Sequence, residues 1–305
     1  MSLPLISIVM CTYNGAEYLR EQLDSLVAQT YTNLEFVVCD DRSTDGTRAI
    51  LEEYAADGRF RLHFNAENLG YSANFAQATA LSRGTFIAFC DQDDIWMHNK
   101  IEKLYRAIEG YSLVYSDSLL VNAKGESLNK KLSELRNLVP FHDTRSFALY
   151  NMVSGHTMLI RRSVLEAGLP IPENAYHDWW FAIIAAQQQG GLYLDEVLAH
   201  YRQHDRNVTV NIVTKPEQRR RGQAERWRRY QVALNWMRHI VRVTSGADQA
   251  FHAKLLRLYE QKSKGFSWPL FFFLLQHQEL FRYRKKSLLS NIFEARILAR
   301  GESPE

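Results

Sequence analysis

The chain has few cysteines, few prolines, no dinucleotide-binding glycine pattern and no long apolar run. Its 305 residues hold three cysteines and seven prolines. Cys11, Cys39 and Cys90 are an odd, widely spaced set, each inside or at the end of an apolar run. They read as buried reduced thiols rather than as a disulfide or zinc framework. No Gly-x-Gly-x-x-Gly occurs, which disfavours a dehydrogenase. The longest strongly apolar stretch, Gly265 to Leu275, is interrupted by Ser267 and Pro269, and nothing approaches the roughly 20 apolar residues of a membrane span. Met1-Ser2-Leu3-Pro4 puts no basic residues ahead of its apolar run, so the expectation is a cytoplasmic protein without a secretory signal. With 46% hydrophobic and 23% charged residues, the composition is too ordinary for a disordered chain.

The net charge of +3 hides a partition. Residues 215–305 carry 19 Lys and Arg against 8 Asp and Glu, a surplus of +11, whereas residues 1–214 carry 18 against 26, or −8. Arg219, Arg220, Arg221, Arg226, Arg228 and Arg229 form one basic cluster, and Arg282, Arg284, Lys285 and Lys286 another. Between them lies an aromatic run from Phe266 to Leu275. Basic residues flanking aromatic ones suit an anionic membrane surface, the inner face of the cell membrane for a cytoplasmic protein. A helical subdomain with solvated arginines is the competing reading. Nucleic acid is disfavoured, because no recognised motif accompanies the charge and the body is acidic.

Four short apolar runs punctuate the first 117 residues: Ile6 to Met10, Phe36 to Cys39, Phe86 to Cys90 and Leu113 to Ser116. Their length and their β-branched or aromatic content predict strands. The last three lead directly into Asp40-Asp41, Asp91 and Asp117. Between the runs, Leu19, Leu23, Leu26 and Val27, and then Ile101, Leu104 and Ile108, repeat at helical spacing. Strands alternating with helices predict an α/β fold with a mainly parallel sheet, in which ligands bind beyond the carboxyl ends of the strands. A single Asp at such a place is most simply a turn or cap residue. Three strands ending the same way point to a site. Further on, the pattern predicts a hairpin around Ala123-Lys124-Gly125-Glu126, a strand within Ser154 to Arg161, a helix from His177 and a closing strand from Leu192 to Tyr201.

Phe89-Cys90-Asp91-Gln92-Asp93-Asp94-Ile95-Trp96 is the most informative segment. Three carboxylates within four residues repel one another, and a divalent cation would relieve that repulsion. Hard oxygen ligands beside a substrate phosphate suit Mg2+ or Mn2+.

Six ordered segments together resemble the inverting family 2 glycosyltransferases of GT-A fold: SIVMCTYNGAEYL (7–19), CDDRSTDGT (39–47), NLGYSANF (68–75), FCDQDDIW (89–96), HDWW (177–180) and YRQH (201–204). The resemblance covers about residues 5–210. It implies a nucleotide-sugar half in residues 1–117, an acceptor-binding half with the catalytic base in residues 118–214, and a basic helical region in residues 215–305. It implies further that Thr12 and Tyr13 form the base pocket, that Asp40 and Asp41 face the nucleoside with Asp41 favoured for the imide N–H of a pyrimidine, and that Asn68 shapes the same side. Asp91 and Asp93 match the DxD motif, with Asp91 towards ribose and metal and Asp93 the direct ligand; His204 completes the metal shell and Arg202 pairs with the diphosphate. Asp178 matches the general base, Trp179 and Trp180 a platform for a sugar ring, although Trp180 equally fits the inward face of its helix with Ile183 and Ile184, and His156 a contact to donor or acceptor sugar. His177 stands where the family usually carries an acid. The late YRQH segment with FCDQDDIW resembles bacterial rhamnosyltransferases of surface polysaccharide synthesis, which implies dTDP-rhamnose as first donor and a UDP-hexose as second, with a glycan or lipid-linked glycan acceptor. The alternatives are a nucleotidyltransferase, which should carry a Gly-rich basic loop after the first strand, and a non-enzymatic carbohydrate-binding or membrane-associated protein. Cys11 to Gly15 has one Gly and no Lys.

Overall fold

The computed structural model describes residues 2–173, 175–205, 207, 223–262 and 265–301. They fall into two compact units, Met1–His142 with Val153–Asn211, and Asp143–Met152 with Ile212–Glu305.

The first unit is built on one sheet of nine strands: β1 (Ile6–Thr12), β2 (Leu34–Asp40), β3 (Phe60–Phe64), β4 (Phe86–Cys90), β5 (Ile95–Trp96), β6 (Leu113–Val121), β7 (Ser127–Lys131), β8 (Met158–Arg161) and β9 (Gly191–Arg202). Their order is β3-β2-β1-β4-β8-β6-β9-β5, with β7 paired to β6. β1 runs parallel to β2 and β4, and β2 parallel to β3. The expected parallel sheet therefore holds for the first four strands. Beyond them it is mixed, because β8 enters antiparallel between β4 and β6 while β6 and β9 are parallel. The expected hairpin is β6–β7, turning at Gly125 with a φ of 81° that suits glycine.

β1, β2 and β4 are buried along nearly their whole length, as strands covered on both faces must be. The covering helices are α1 (Ala16–Val27), α2 (Thr47–Tyr54), α3 (Tyr71–Leu81), α4 (Lys100–Ala107), the short α5 (Leu132–Leu135), α6 (Arg162–Gly168) and α7 (His177–Ala186). Of the helical stripe expected in α1, Leu19, Leu23 and Leu26 have no exposed surface, whereas Val27, the last residue of the helix, is 38% exposed. Each such side chain contributes about 1.5–3 kcal/mol by leaving water. Cys39 and Cys90 are buried within β2 and β4, and Cys11 is half-buried in β1.

In the second unit α8 (Gln223–Val243), α9 (Gly246–Glu260), α10 (Trp268–Gln276) and α11 (Leu288–Leu298) surround a core that includes Leu234, Met237, Leu255, Leu270 and Leu274. Asp143–Met152 is stitched into this unit. Thr144 Oγ1 donates to Asp248 at 2.7 Å, Trp236 Nε1 to the Phe147 carbonyl at 3.2 Å, and Tyr150 Oη to Glu294 at 2.8 Å. Arg226, Arg228 and Arg229 are exposed on α8, whereas Arg219, Arg220 and Arg221 lie outside the described residues. Among the described residues, no helix is long and apolar enough to cross a membrane.

Candidate active site

The loops after β1 and β2 lock onto each other through side chains that the sequence marks as polar turns. Thr12 Oγ1 donates to Asp40 at 2.8 Å, and Asp40 also accepts from the Ser43 amide at 2.9 Å and the Ser43 hydroxyl at 2.6 Å. Arg42, between them, has a φ of 63°, an uncommon conformation for a side-chain-bearing residue that turns Ser43 back onto Asp40. Asp41 is likewise supplied, accepting from Asn65 Nδ2 at 2.9 Å and from the Leu69 and Gly70 amides at 2.7 and 2.8 Å. Asn68 Nδ2 reaches the Asp41 carbonyl at 3.1 Å. Tyr13 is 50% exposed, and its backbone is held at both ends by Gln92: the Tyr13 amide donates to Oε1 at 2.9 Å and Nε2 donates to the Tyr13 carbonyl at 3.2 Å. A Cβ on Gly15 would fall 2.2 Å from Gln92 Oε1, so this clamp requires glycine there.

The acids after β4 are supplied differently. Burial, then the Asp93 and Asp178 carboxylates, pushes Asp91 up to about 7. Asp94 is wholly buried. Its Oδ1 accepts from the Arg202 amide at 3.0 Å, while Oδ2 is buried without a hydrogen-bond partner, and burial followed by repulsion from Asp93 and Asp91 raises the group well above the usual carboxylate range. Lys100, also wholly buried, donates to the His156 carbonyl and lies 3.5 Å from the centre of the Trp96 ring; burial brings it down to about 7. Asp93 Oδ2 stands 2.8 Å from His204 Nε2, and the His204 ring packs on Tyr18 at 4.7 Å.

Asp178 occupies the first turn of α7. It accepts from the Trp179 amide at 2.6 Å and from the Gly155 amide, and burial raises it to about 6. His177 lies beneath it, stacked on Phe75 at 4.1 Å and Phe89 at 4.7 Å with both ring nitrogens unpartnered, and burial lowers it to about 3. A Cβ on Gly155 would meet His177 Nε2 at 2.6 Å.

Several expected residues stand elsewhere than at a ligand surface. Arg202 is 1% exposed, with its guanidinium donating to the Asp93 carbonyl at 2.8 Å, the Ala123 carbonyl at 2.9 Å and the Glu21 carboxylate, which leaves it a brace rather than a diphosphate contact. Trp180 is core: it is 3% exposed and its Nε1 donates to the Gly168 carbonyl at 2.6 Å, so of the expected platform only Trp179 is partly exposed. His156 is 3% exposed, stacked on Tyr201 at 4.5 Å and bonded to Ser118 Oγ at 2.8 Å; its Nδ1 looks towards Asp91 and Asp94 at 3.9 and 3.8 Å, not towards a sugar. Asp117 is not at a strand end, since β6 runs on to Val121, and its carboxylate accepts from Ser118 and Ser133. Asp94, Lys100, Gln92 and Gly155 went unassigned in the sequence. For Asp94 the signal was available in the acidic run, whereas the other three act through contacts across the chain.

The donor set fits a divalent cation. Asp91, Asp94 and His156 offer atoms within 4.8 Å of one another, a different grouping from the expected Asp91, Asp93 and His204, of which Asp93 and His204 form a separate carboxylate–imidazole pair. Asp94 and His156 are closed to a phosphate by burial, whereas Asp91 is half-exposed and Asp93 partly so.

The model of the family described as glycosyl transferase family 2 matches residues 7–169. An uncharacterized glycosyltransferase of Rickettsia typhi is 30% identical over 225 residues, 70% of this chain and 69% of that protein. The Escherichia coli UDP-Glc:alpha-D-GlcNAc-diphosphoundecaprenol beta-1,3-glucosyltransferase WfgD is 41% identical over 98 residues, 32% of this chain and 38% of that protein. Among solved structures, mannosyltransferase PcManGT from Pyrobaculum calidifontis, in complex with GDP-Man and Mn2+, is similar with a TM-score of 0.56 at 18% identity, over 100% of this chain and 78% of that one. At that identity the likeness speaks to the fold, which is of the GT-A type.

Proposed function

The chain belongs to glycosyl transferase family 2, and from that premise we propose that it is an inverting, cation-assisted transferase. It moves a sugar from a pyrimidine nucleoside diphosphate to a hydroxyl of a lipid-linked surface glycan, at the membrane face that bears the acceptor. The observation that carries this reading is the company Asp91 keeps. Its carboxylate, one-third exposed, lies with Asp94 and His156 in a set of donor atoms within 4.8 Å of one another and is repelled by Asp93 and Asp178, an arrangement that a divalent cation would relieve.

Residues 1–117 serve as the nucleotide half, with the exposed Tyr13 ring against the base and Asp41, held rigid by the Leu69 and Gly70 amides, beside it. Thr12, Asp40 and Asn68 shape that side through the hydrogen bonds they make. Residues 118–214 serve as the acceptor half. There Asp178 takes the proton of the acceptor hydroxyl as its oxygen attacks the anomeric carbon, while the bond from that carbon to the diphosphate oxygen breaks and the diphosphate leaves with the electron pair. Burial keeps Asp178 basic enough for this at neutral pH, and the Trp179 and Gly155 amides fix its direction. Trp179 flanks the acceptor sugar. Asp93, His204 and Asp91 would hold Mg2+ or Mn2+, which supplies positive charge to the departing diphosphate. Arg202 holds the Asp93 backbone in place, and His156 with Lys100 supports the acids from below.

Two donors lead, dTDP-rhamnose on the FCDQDDIW and YRQH segments and a UDP-hexose on the donor of WfgD. Thermal shift against a panel of nucleotide sugars, with and without Mn2+, tests both, because a ligand bound only by the folded chain raises its melting temperature. A cation-dependent rise with one pyrimidine nucleotide sugar is expected. No rise with any donor would overturn the reading.

A further inference from the structure

In the helical unit, α10 and α11 each leave an apolar stripe uncovered. Trp268 and Phe272 on α10 are each 60% exposed, and on α11 Leu289 is 78%, Phe293 60% and Ile297 41% exposed. Both sets follow helical spacing, at i and i+4 on α10 and at i, i+4 and i+8 on α11. The opposite faces are already used, α10 burying Leu270, Phe273 and Leu274 and α11 burying Ala295. The two helices are tied where α10 begins and α11 ends, by the Ser267 amide donating to the Ala299 carbonyl at 2.9 Å and by a bridge between Phe266 and Arg300. The exposed side chains thus belong to adjoining helices of one unit.

Among the described residues, the exposed charged side chains from Arg282 to Arg300 are all cationic. They include Lys285, Lys286, Arg296 and Arg300. Among the described residues, no carboxylate pairs with Lys286, Arg296 or Arg300. Glu294, the acid of α11, is drawn inward by Arg284 and by Tyr150, whose hydroxyl donates to it at 2.8 Å. We propose that this α10–α11 surface seats the chain on an anionic bilayer, with Trp268, Phe272, Leu289, Phe293 and Ile297 in the headgroup region and Lys286, Arg296 and Arg300 on lipid phosphates. Charge complementarity selects the lipid over a second copy, since pairing two such faces would bring their cations together. The proposal names the surface behind the membrane-face reading above and rests on it for its purpose, though not for its test.

The full chain is floated with vesicles of phosphatidylcholine alone and of phosphatidylcholine mixed with phosphatidylglycerol, at low and high salt. Binding to the mixed vesicles that salt weakens is expected. Lys286→Gln/Arg296→Gln/Arg300→Gln should weaken it by about fivefold per charge removed. Trp268→Ser/Phe272→Ser/Phe293→Ser should weaken it at either salt, with an unchanged melting curve because the side chains are exposed. Parent-like flotation of either variant, or no binding to anionic vesicles, overturns the proposal. So does a concentration-dependent dimer, seen by light scattering, that the serine variant dissolves without any vesicle binding by the parent. Donor binding measured calorimetrically on the same proteins keeps the two readings apart. A parent that binds donor but does not float removes only the docking surface, and a parent that floats but binds no donor removes only the transferase.

Discussion

Two pairs of acids leave the same sheet at the strands that flank β1, and they meet opposite environments. Asp40 and Asp41, after β2, each accept three hydrogen bonds from side chains and amides of their own and adjoining loops. Asp91 and Asp94, after β4, have fewer donors among the described residues: Asp94 accepts from the Arg202 amide and keeps its other oxygen buried without a partner, and both acids are pushed upward. A carboxylate whose oxygens are met by donors is a structural part, whereas a buried one short of them waits for a proton or a cation. The contrast separates scaffold from chemistry more sharply than the presence of acid at a strand end does.

The largest expected effect breaks the donor-poor side. Asp178→Asn should lower turnover about 10²–10⁴-fold with donor affinity retained, as loss of a general base does. Asp93→Ala should abolish the cation-dependent part of donor binding as well. Titration calorimetry with a nucleotide sugar beside single-turnover transfer separates the two losses, and equal donor affinity in both variants would contradict the assignment of Asp93. The next effect is in pH. Asp178 must be ionised to accept a proton and is raised to about 6, so turnover at saturating donor and cation should rise with pH up to about 6 and then level. Below that point it should fall about tenfold per unit. Asp178→Asn should flatten this limb.

Stability then tests the contrast directly. Asp40→Asn deprives buried donors of their acceptor and should cost about 1–3 kcal/mol. Asp94→Asn should do the opposite at neutral pH. A carboxyl whose folded pKa lies above its unfolded value binds a proton more readily when folded, so its contribution to stability falls as pH rises above about 4. The melting temperature of Asp94→Asn should exceed the parent's at pH 7, with the gap closing towards pH 4, in the absence of metal. The most local effect is at Gly155. Gly155→Ala drives a Cβ into His177 and should cost about 1–3 kcal/mol by overpacking, lowering turnover more than donor affinity because the Gly155 amide steadies Asp178. Equal losses in both would assign Gly155 to packing alone.

What the sequence revealed follows from which signals are local. Short apolar runs ending in acid marked β2 and β4, and the leucine stripe marked α1, because burial on both faces of a strand or on one face of a helix is written at fixed spacing. β3 escaped because its Phe-Arg-Leu-His-Phe is a half-exposed edge strand without an apolar run. Asp117 misled for a related reason: the hydrophobic run stops at Ser116, yet the strand continues to Val121 because Asp117 finds its donors at Ser118 and Ser133. Adjacent tryptophans cannot share a helix face, so Trp179 and Trp180 could not both be a platform. Arg202 and His156 carry the residue types of ligand contacts, and only tertiary hydrogen bonds reveal that their polar atoms are already engaged.

The path of the chain sets a rule for anyone who would exchange the basic region for that of another protein. Asp143–Met152 leaves the sheet unit to join the helices and the chain then returns, so the covalent thread passes between the units three times. A cut at residue 215 would strand Thr144, Phe147 and Tyr150 without their hydrogen-bond partners Asp248, Trp236 and Glu294. The helical region is therefore inherited as a matched set with ten residues of the preceding sequence, and a functional graft must carry both pieces.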